Sequence, residues 1–148
     1  MPSYRKILLA LDLTADSQAV SRRAIEVAER YGAELRLLHV VEYVPVEPMG
    51  EAILPAVQVE DELVENARRR LDALAVELGL GDAERQIEVG NIKAEVVRVA
   101  REQGADLIVL GSRERHGLAI LVNLTEDAVL HAAPCDVLAV RLQKRETR

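Results

Sequence analysis

The chain has 148 residues, of which 49% are apolar but only three are aromatic, and its formal charge at pH 7 is −6. This length fits one domain, residues 1–148, with a core of aliphatic side chains such as parallel sheets usually have. The negative charge opposes contact with nucleic acid or anionic membranes, and the few aromatic side chains offer no platform for stacking single-stranded bases. We therefore expect no nucleic-acid partner and no membrane partner.

The cysteine count and the apolar runs bear on the compartment. Cys135 is the single cysteine, which excludes an intramolecular disulfide and a multi-cysteine zinc site and suits a reducing environment. It opens an apolar run, so we interpret it as a small packing residue rather than a reactive thiol. The first apolar run is too short for a signal peptide, and no run reaches about 18 apolar residues. We expect a cytoplasmic protein.

The first part of the chain predicts a strand, a helix and a second strand. Arg5–Leu11 is a short apolar run that ends at Asp12, where several capping residues form a turn. A helix follows to about Tyr31, and Gly32 stands where a left-handed C-terminal cap belongs. Glu34–Val41 predicts the second strand. The helical residues expected to face the core are Val20, Ala24, Val27, Ala28 and Tyr31.

The middle of the chain predicts a loop, two helices and a short strand between them. Glu42–Val57 holds three prolines and predicts a loop long enough to form a lid or a partner surface. A helix over about Gln58–Leu78 precedes a short edge strand at Arg85–Val89, and the next helix runs from Gly90-Asn91 to Gly104. The expected core residues of the two helices are Leu63, Ala67, Leu71, Leu74, Leu78, Ile92, Val96, Val99 and Ala100.

The last part begins with a strand that is apolar on both faces. Leu107–Leu110 ends abruptly at Gly111-Ser112, where a polar loop begins. A helix from Leu121 or Asn123 to Ala132 follows, and Pro134 prevents its continuation. Cys135–Leu142 predicts the fifth strand.

Strands that alternate with helices predict right-handed crossovers and an α/β fold, a single doubly wound five-stranded parallel sheet with helices on both faces. Placing the ends of strands one and four side by side gives the order 3-2-1-4-5. The topological switch point then lies between Asp12 and Gly111, and such crevices are where open α/β sheets bind ligands. A helix N-terminus that faces the crevice would offer free N–H groups to an anion.

Four segments in this order resemble the universal stress protein family: KILLALDLTADS, HVVE, GNIKAEVVRVAREQGADLIVLGS and HAAPCDVLAVR. The resemblance covers nearly the whole chain. In nucleotide-binding members the loop after strand four reads Gly, two residues, Gly, nine residues, Gly, then Ser or Thr, and it wraps the phosphates and ribose of ATP. The family's A-like branch lacks this motif and is generally regarded as not binding ATP.

The chain departs from that glycine motif and is similar to the A-like branch. Gly111 matches, but Glu114 replaces the second glycine, eight residues instead of nine follow it, and Asn123-Leu124 replaces the last pair. A phosphate cradle needs exposed backbone N–H groups and few anions, and Glu114 adds both bulk and negative charge. We expect a degenerate loop and no bound cofactor. Arg113, Arg115, Ser112 and Thr125 keep ATP or AMP binding open as the alternative.

The candidate, degenerate nucleotide site consists of Asp12, Val41, Gly111, Ser112, Arg113, Asn123 and Thr125. Two interpretations of Asp12 stay open: the resemblance implies contact with adenine or ribose, and the neighbouring Asp16 and Ser17 favour a turn-holding role. His39 lies within a strand and is interpreted as a packing residue. His116 and His131 lack partners at metal-ligand spacing, so we expect no metal.

No catalytic residue is predicted. Neither GxxxxGK[ST] nor GxGxxG occurs, and no nucleophile and base pair can be assembled from neighbouring motifs. A receiver domain is excluded because Leu11, Gly90 and Leu142 occupy positions that would need acids and a lysine. The sequence favours a non-enzymatic stress-response protein that acts through dimerisation and an unidentified protein partner; an ATP- or AMP-binding regulatory switch is the alternative.

The predicted order places the fifth strand at a sheet edge, although its centre is apolar: Val137, Leu138, Ala139 and Val140. Exposed apolar edges are usually covered or paired, and a two-fold contact is the commonest pairing in soluble homo-oligomers. Members of the family that the chain resembles also dimerise in this way. We expect a homodimer through strand five, with coverage by the C-terminal tail or a nearby loop as the alternative.

Overall fold

Strands and helices alternate along the described chain. The computed structural model describes residues 3–42, 53–112 and 124–142. The strands are β1 (Lys6–Ala10), β2 (Glu34–Val41), β3 (Arg85–Val89), β4 (Leu107–Ser112) and β5 (Asp136–Arg141), and the helices are α1 (Ser17–Tyr31), α2 (Ile53–Glu77), α3 (Ile92–Gln103) and α4 (Leu124–Ala132).

The five strands form one parallel sheet in the order β3-β2-β1-β4-β5, which confirms the predicted fold. Successive side chains of a strand point to opposite faces, so each strand contributes to two cores. Leu9, Leu37 and Val109 belong to the core beneath α1 and α2. Leu8, Leu38 and Ile108 belong to the core that includes α3 and α4. All six side chains are at most 1% exposed.

Helix α1 ends as predicted, but its last apolar residue lies outside the core. Gly32 adopts the left-handed conformation, with φ of 62°, and its N–H bonds the carbonyls of the last turn. Val20, Ala24 and Ala28 are buried. The expectation for Tyr31 is wrong: its side chain is 50% exposed, because the ring packs edge-on against Tyr4 at the periphery, with ring centroids 4.9 Å apart.

Helix α2 differs from the prediction at its start and in its buried face. It begins at Ile53 rather than Gln58, because Pro55 lies in the first turn, where its missing N–H is not needed. The predicted loop is therefore shorter, and residues 43–52 of it lie outside the described residues. Leu63 is 39% exposed rather than buried. The face that enters the core is formed by Val64, Ala67, Leu71 and Ala75, with Leu74 beside it.

Strand β4 continues through Gly111-Ser112, two residues beyond the predicted end. Its pairing with β5 continues to the same point, where Ser112 lies opposite Arg141 and its carbonyl accepts the N–H of Leu142 at 2.8 Å. Strand β5 itself is one residue shorter than predicted at each end. The predicted helix start at Leu121 or Asn123 lies outside the described residues, and Leu124 is already helical.

Cys135 immediately precedes β5 and packs against the core beneath α3 and α4. Burial raises the pKa of its thiol, and the nearby carboxylates of Asp136 and Asp106 raise it further. A thiol with a raised pKa forms little thiolate at neutral pH. The interpretation of Cys135 as a small packing residue agrees with this environment.

Candidate functional site

The carboxyl ends of β1, β2 and β4 lie at one edge of the sheet. Strand β1 pairs with β2 on one side and with β4 on the other. The chain leaves β1 through α1 towards β2, whereas it leaves β4 through α4 towards β5, on the opposite side of the sheet. The loops that leave β1 and β4 therefore diverge, which is the condition for a crevice. This arrangement brings the predicted residues Asp12, Val41, Gly111 and Ser112 to the same edge. Thr125 lies in the first turn of α4, whereas Arg113 and Asn123 fall outside the described residues.

The carboxylate of Asp12 organises the turn between β1 and α1. Its Oδ1 accepts the backbone N–H of Thr14 at 3.0 Å, the Thr14 hydroxyl at 2.8 Å and the Ser17 hydroxyl at 3.2 Å. Short polar side chains that bond nearby backbone groups are typical of such turns. These contacts are the ones that the turn-holding interpretation of Asp12 requires. A contact with adenine or ribose stays a prediction.

Leu13 makes this turn unusual, because it is a non-glycine residue in the left-handed conformation. Its φ is 58°, and its side chain is only 6% exposed in the core beneath α1 and α2. That conformation costs a branched residue free energy, which neighbouring contacts must offset. The guanidinium of Arg70, on α2, donates to the Leu13 carbonyl. A cation from another helix therefore holds the strained residue in place.

His39 supports the same segment from β2. Its half-buried ring places Nδ1 2.7 Å from the carbonyl oxygen of Leu11, which can only accept, so Nδ1 carries the hydrogen and donates it there. The N–H of Leu11 in turn bonds the Leu38 carbonyl at 2.9 Å. The contact with Leu11 agrees with a structural role for His39, which positions the end of β1. Both His39 and Arg70 act over long sequence separations, which local patterns do not reveal.

Packing alone explains why residue 111 is a glycine, without any ligand. A Cβ atom at this position would lie 3.0 Å from Val20 Cγ2 and 3.2 Å from Leu142 Cδ1. Contacts this short require the neighbouring side chains to move. The glycine therefore allows α1 and the residue after β5 to approach the end of β4. Its presence alone is weak evidence for a phosphate cradle.

The model of the universal stress protein family matches residues 3–141. This chain belongs to that family. It is 38% identical over 144 residues to universal stress protein A homolog 2 of Coxiella burnetii, an alignment that covers 97% of this chain and 99% of the relative. Nearly the full length of both proteins is therefore related.

Solved structures share the fold of this family member. The universal stress protein UspA from Lactobacillus plantarum superposes with a TM-score of 0.75 at 23% identity, covering 95% of this chain and all of that one (100%). A universal stress protein in complex with cAMP gives a TM-score of 0.59 at 21% identity, with 94% and 98% of the two chains covered. At these identities the likeness extends to the fold alone.

Two searches of the described residues bear on other kinds of site. No group of three or more His, Cys, Asp or Glu side chains there is placed to hold a metal ion. None of the helices that the structure describes is both long enough and apolar enough to cross a membrane.

The contact between Arg70 and Leu13 predicts a specific stability effect. Arg70→Met keeps most of the side-chain stem but removes the donor, and we expect the free energy of unfolding to fall by about 1.5–3 kcal/mol, the range for a hydrogen bond from a charged group. Urea denaturation measures this. Hydrogen exchange should accelerate at residues 13–17, because the turn loses its support.

Arg69→Met is the matched control, because Arg69 is exposed and makes no ion pair or hydrogen bond with another described residue. Its stability should change by less than about 0.5 kcal/mol. Equal effects of the two substitutions would contradict the role given to Arg70.

Proposed function

We propose that this universal stress protein is a non-enzymatic stress-response protein of the cytoplasm, which works as a homodimer and binds a protein partner. The observation that carries the proposal is the state of β5, the last strand of the sheet. Its side chains remain partly exposed in the single chain, and one edge of its backbone has no strand beside it among the described residues. No catalytic residue is assigned.

The backbone of β5 is oriented for pairing with a second chain. The N–H of Leu142 points to β4, where it bonds Ser112. Successive residues of a strand direct their N–H groups to opposite sides, so the N–H groups of Ala139 and Arg141 point away from β4. An antiparallel copy of β5 would supply acceptors for these donors and give an isologous two-fold contact.

The side chains next to this edge add apolar surface. Val137, Leu138 and Val140 are half-buried and Ala139 is exposed. Leu130, on the helix that packs against β5, is 54% exposed. Apolar side chains at an open strand edge favour association, because pairing removes their surface from water at roughly 25 cal/mol per Å².

The same proposal holds that the phosphate-binding loop no longer holds ATP. Glu114 and Asn123-Leu124 replace residues that bind phosphate and ribose in nucleotide-binding members of the family. Each lost charge-assisted hydrogen bond weakens binding by about 1.5–3 kcal/mol, which is tenfold or more in affinity. The internal contacts of Asp12 and the close packing at Gly111 support this proposal, because both residues serve the fold without a ligand.

An ATP- or AMP-binding regulatory switch is the second candidate. It is favoured by the position of Asp12, Val41 and Ser112 at the switch point of the sheet and by the structural neighbour that was solved with cAMP. Hydrolysis, if present, would be slow, because no nucleophile-activating pair is predicted. The two candidates differ in whether adenine nucleotide binds at physiological concentration.

The β5 dimer predicts that Ala139→Pro yields a monomer in light scattering at micromolar concentration. Proline removes the N–H that points away from β4 and leaves the donors of Val140 and Leu142 in place. Ala139→Ser retains the N–H at similar size and should remain a dimer. A second variant, Ala139→Lys, places a charge at this exposed position and should also be monomeric without altering the ladder to β4.

Circular dichroism of each variant verifies the fold before its mass is interpreted. A wild-type protein that is already monomeric at micromolar concentration, or an Ala139→Lys variant that remains a dimer of unchanged stability, would exclude the β5 interface.

The degenerate loop predicts that calorimetry with ATP at physiological salt gives a dissociation constant well above the low micromolar range. Restoring the family's pattern with Glu114→Gly and Leu124→Ser, together with the missing loop residue, should raise the affinity by at least tenfold, because N–H groups and a hydroxyl become available to phosphate. Low-micromolar affinity of the wild type would instead support the nucleotide switch.

A further inference from the structure

The first part of helix α2 extends beyond the core that the rest of the helix covers. The buried side chains of α2 are Ala67, Leu71 and Ala75, and Val64 is its first described residue that packs against the core. The helix begins at Ile53, so roughly 16 Å of it precedes Val64, at about 1.5 Å per residue. Helices in proteins gain most of their stability from packing one face on other elements. No described side chain of this part belongs to the core, so its surface is available to another molecule.

Val59 and Leu63 form an exposed apolar pair on this part of α2. Their side chains are 44% and 39% exposed. Residues four apart lie next to each other on one side of a helix, so the two side chains present one continuous apolar surface. Single exposed apolar residues are common on proteins, whereas neighbouring ones favour contact with another surface.

Four acidic residues lie around this pair in the sequence: Glu60, Asp61, Glu62 and Glu65. The helix dipole does not explain them, because it acts within the first turn and the first turn of α2 holds no acidic residue. None of the four makes an ion pair or a hydrogen bond with another described residue. Asp61 and Glu65 are like charges four residues apart, which disfavours the helix. Unpaired acids beside an apolar pair are complementary to a cationic, apolar surface.

We propose that this part of α2 is the surface on which the protein partner docks, and that the partner presents a basic amphipathic helix. The apolar side chains of that helix lie on Val59 and Leu63. Its Lys or Arg side chains meet Asp61, Glu62 and Glu65. This docking surface rests on the proposed function in that the protein acts through a protein partner. It does not require the β5 dimer, because α2 packs on β2 and β3, at the other side of the sheet from β5.

A synthetic peptide of leucine and lysine tests this surface. The peptide has about 14 residues, enough for a marginally stable helix, and its leucines recur every three or four residues. In a two-dimensional NMR titration of the full chain we expect saturable shifts of the amide signals of residues 59–66 at micromolar peptide. A peptide of the same pattern with glutamate in place of lysine should not bind, because acids would then face acids.

The variant Leu63→Gln tests the apolar pair. It should weaken binding of the leucine-lysine peptide about tenfold, because the surface of one leucine is no longer removed from water. Val76→Gln is the matched control. Val76 is 70% exposed on the same helix but lies beyond the acidic stretch, so this variant should bind as the wild type does.

The variant Glu62→Gln tests the charge. It should weaken binding of the same peptide about threefold at low salt, and less at high salt, as expected for an exposed ion pair. Glu29→Gln is the control, because it removes the same charge from the exposed surface of α1 and should leave binding unchanged. The spectra themselves report whether each variant is folded.

Four results would overturn the docking surface: no saturable shifts at millimolar peptide, shifts centred outside α2, equal weakening by Leu63→Gln and Val76→Gln, or equal binding of the glutamate peptide. Loss of the dimer in light scattering of Leu63→Gln would instead assign this face to a contact between copies of this chain. Ala139→Lys should bind the leucine-lysine peptide as the wild type does. A failure of the β5 dimer is therefore seen separately from a failure of the docking surface.

Discussion

The double pairing of β1 is the constraint on which the rest of the structure depends. Ile7 and its neighbours bond β2 on one side and β4 on the other, so β1 is the strand at which the direction of the chain's crossovers reverses. Two consequences follow from the reversal. The loops after β1 and β4 separate at one edge of the sheet, and β5 becomes the last strand on its side.

The loop after β1 illustrates how a potential ligand site can be used by the fold itself. Asp12 bonds the turn, Leu13 is held in a left-handed conformation by Arg70, and His39 lies within hydrogen-bond distance of the Leu11 carbonyl. Each contact fixes backbone that would have to be rigid for nucleotide binding as well. A rigid turn at this edge is therefore compatible with the proposed loss of phosphate binding by the loop after β4.

Much of the fold could be predicted from the sequence, because apolar runs of strand length alternate with helical stripes and because Gly32 and Gly104 end helices in the left-handed conformation. The errors have local causes. Pro55 suggests a loop although it fits the first turn of α2, and Tyr31 and Leu63 fit a helical stripe although they lie at its margin. A periodicity argument does not measure how far the core extends.

The candidate site was less predictable than the fold. Residues at strand ends, such as Asp12 and Gly111, follow from the strand order, since parallel strands end at one edge. The contributions of Arg70 and His39 do not follow, because they depend on how α2 and β2 lie against a loop far away in sequence.

We propose above all that this family member functions without bound adenine nucleotide. The most direct test is to purify the protein under native conditions, denature it, and measure the ultraviolet absorbance and the mass of the small molecules that are released. We expect no adenine nucleotide in amounts that approach one molecule per chain. Release of ATP or AMP near that stoichiometry would contradict it and would make the nucleotide switch the better description of this protein.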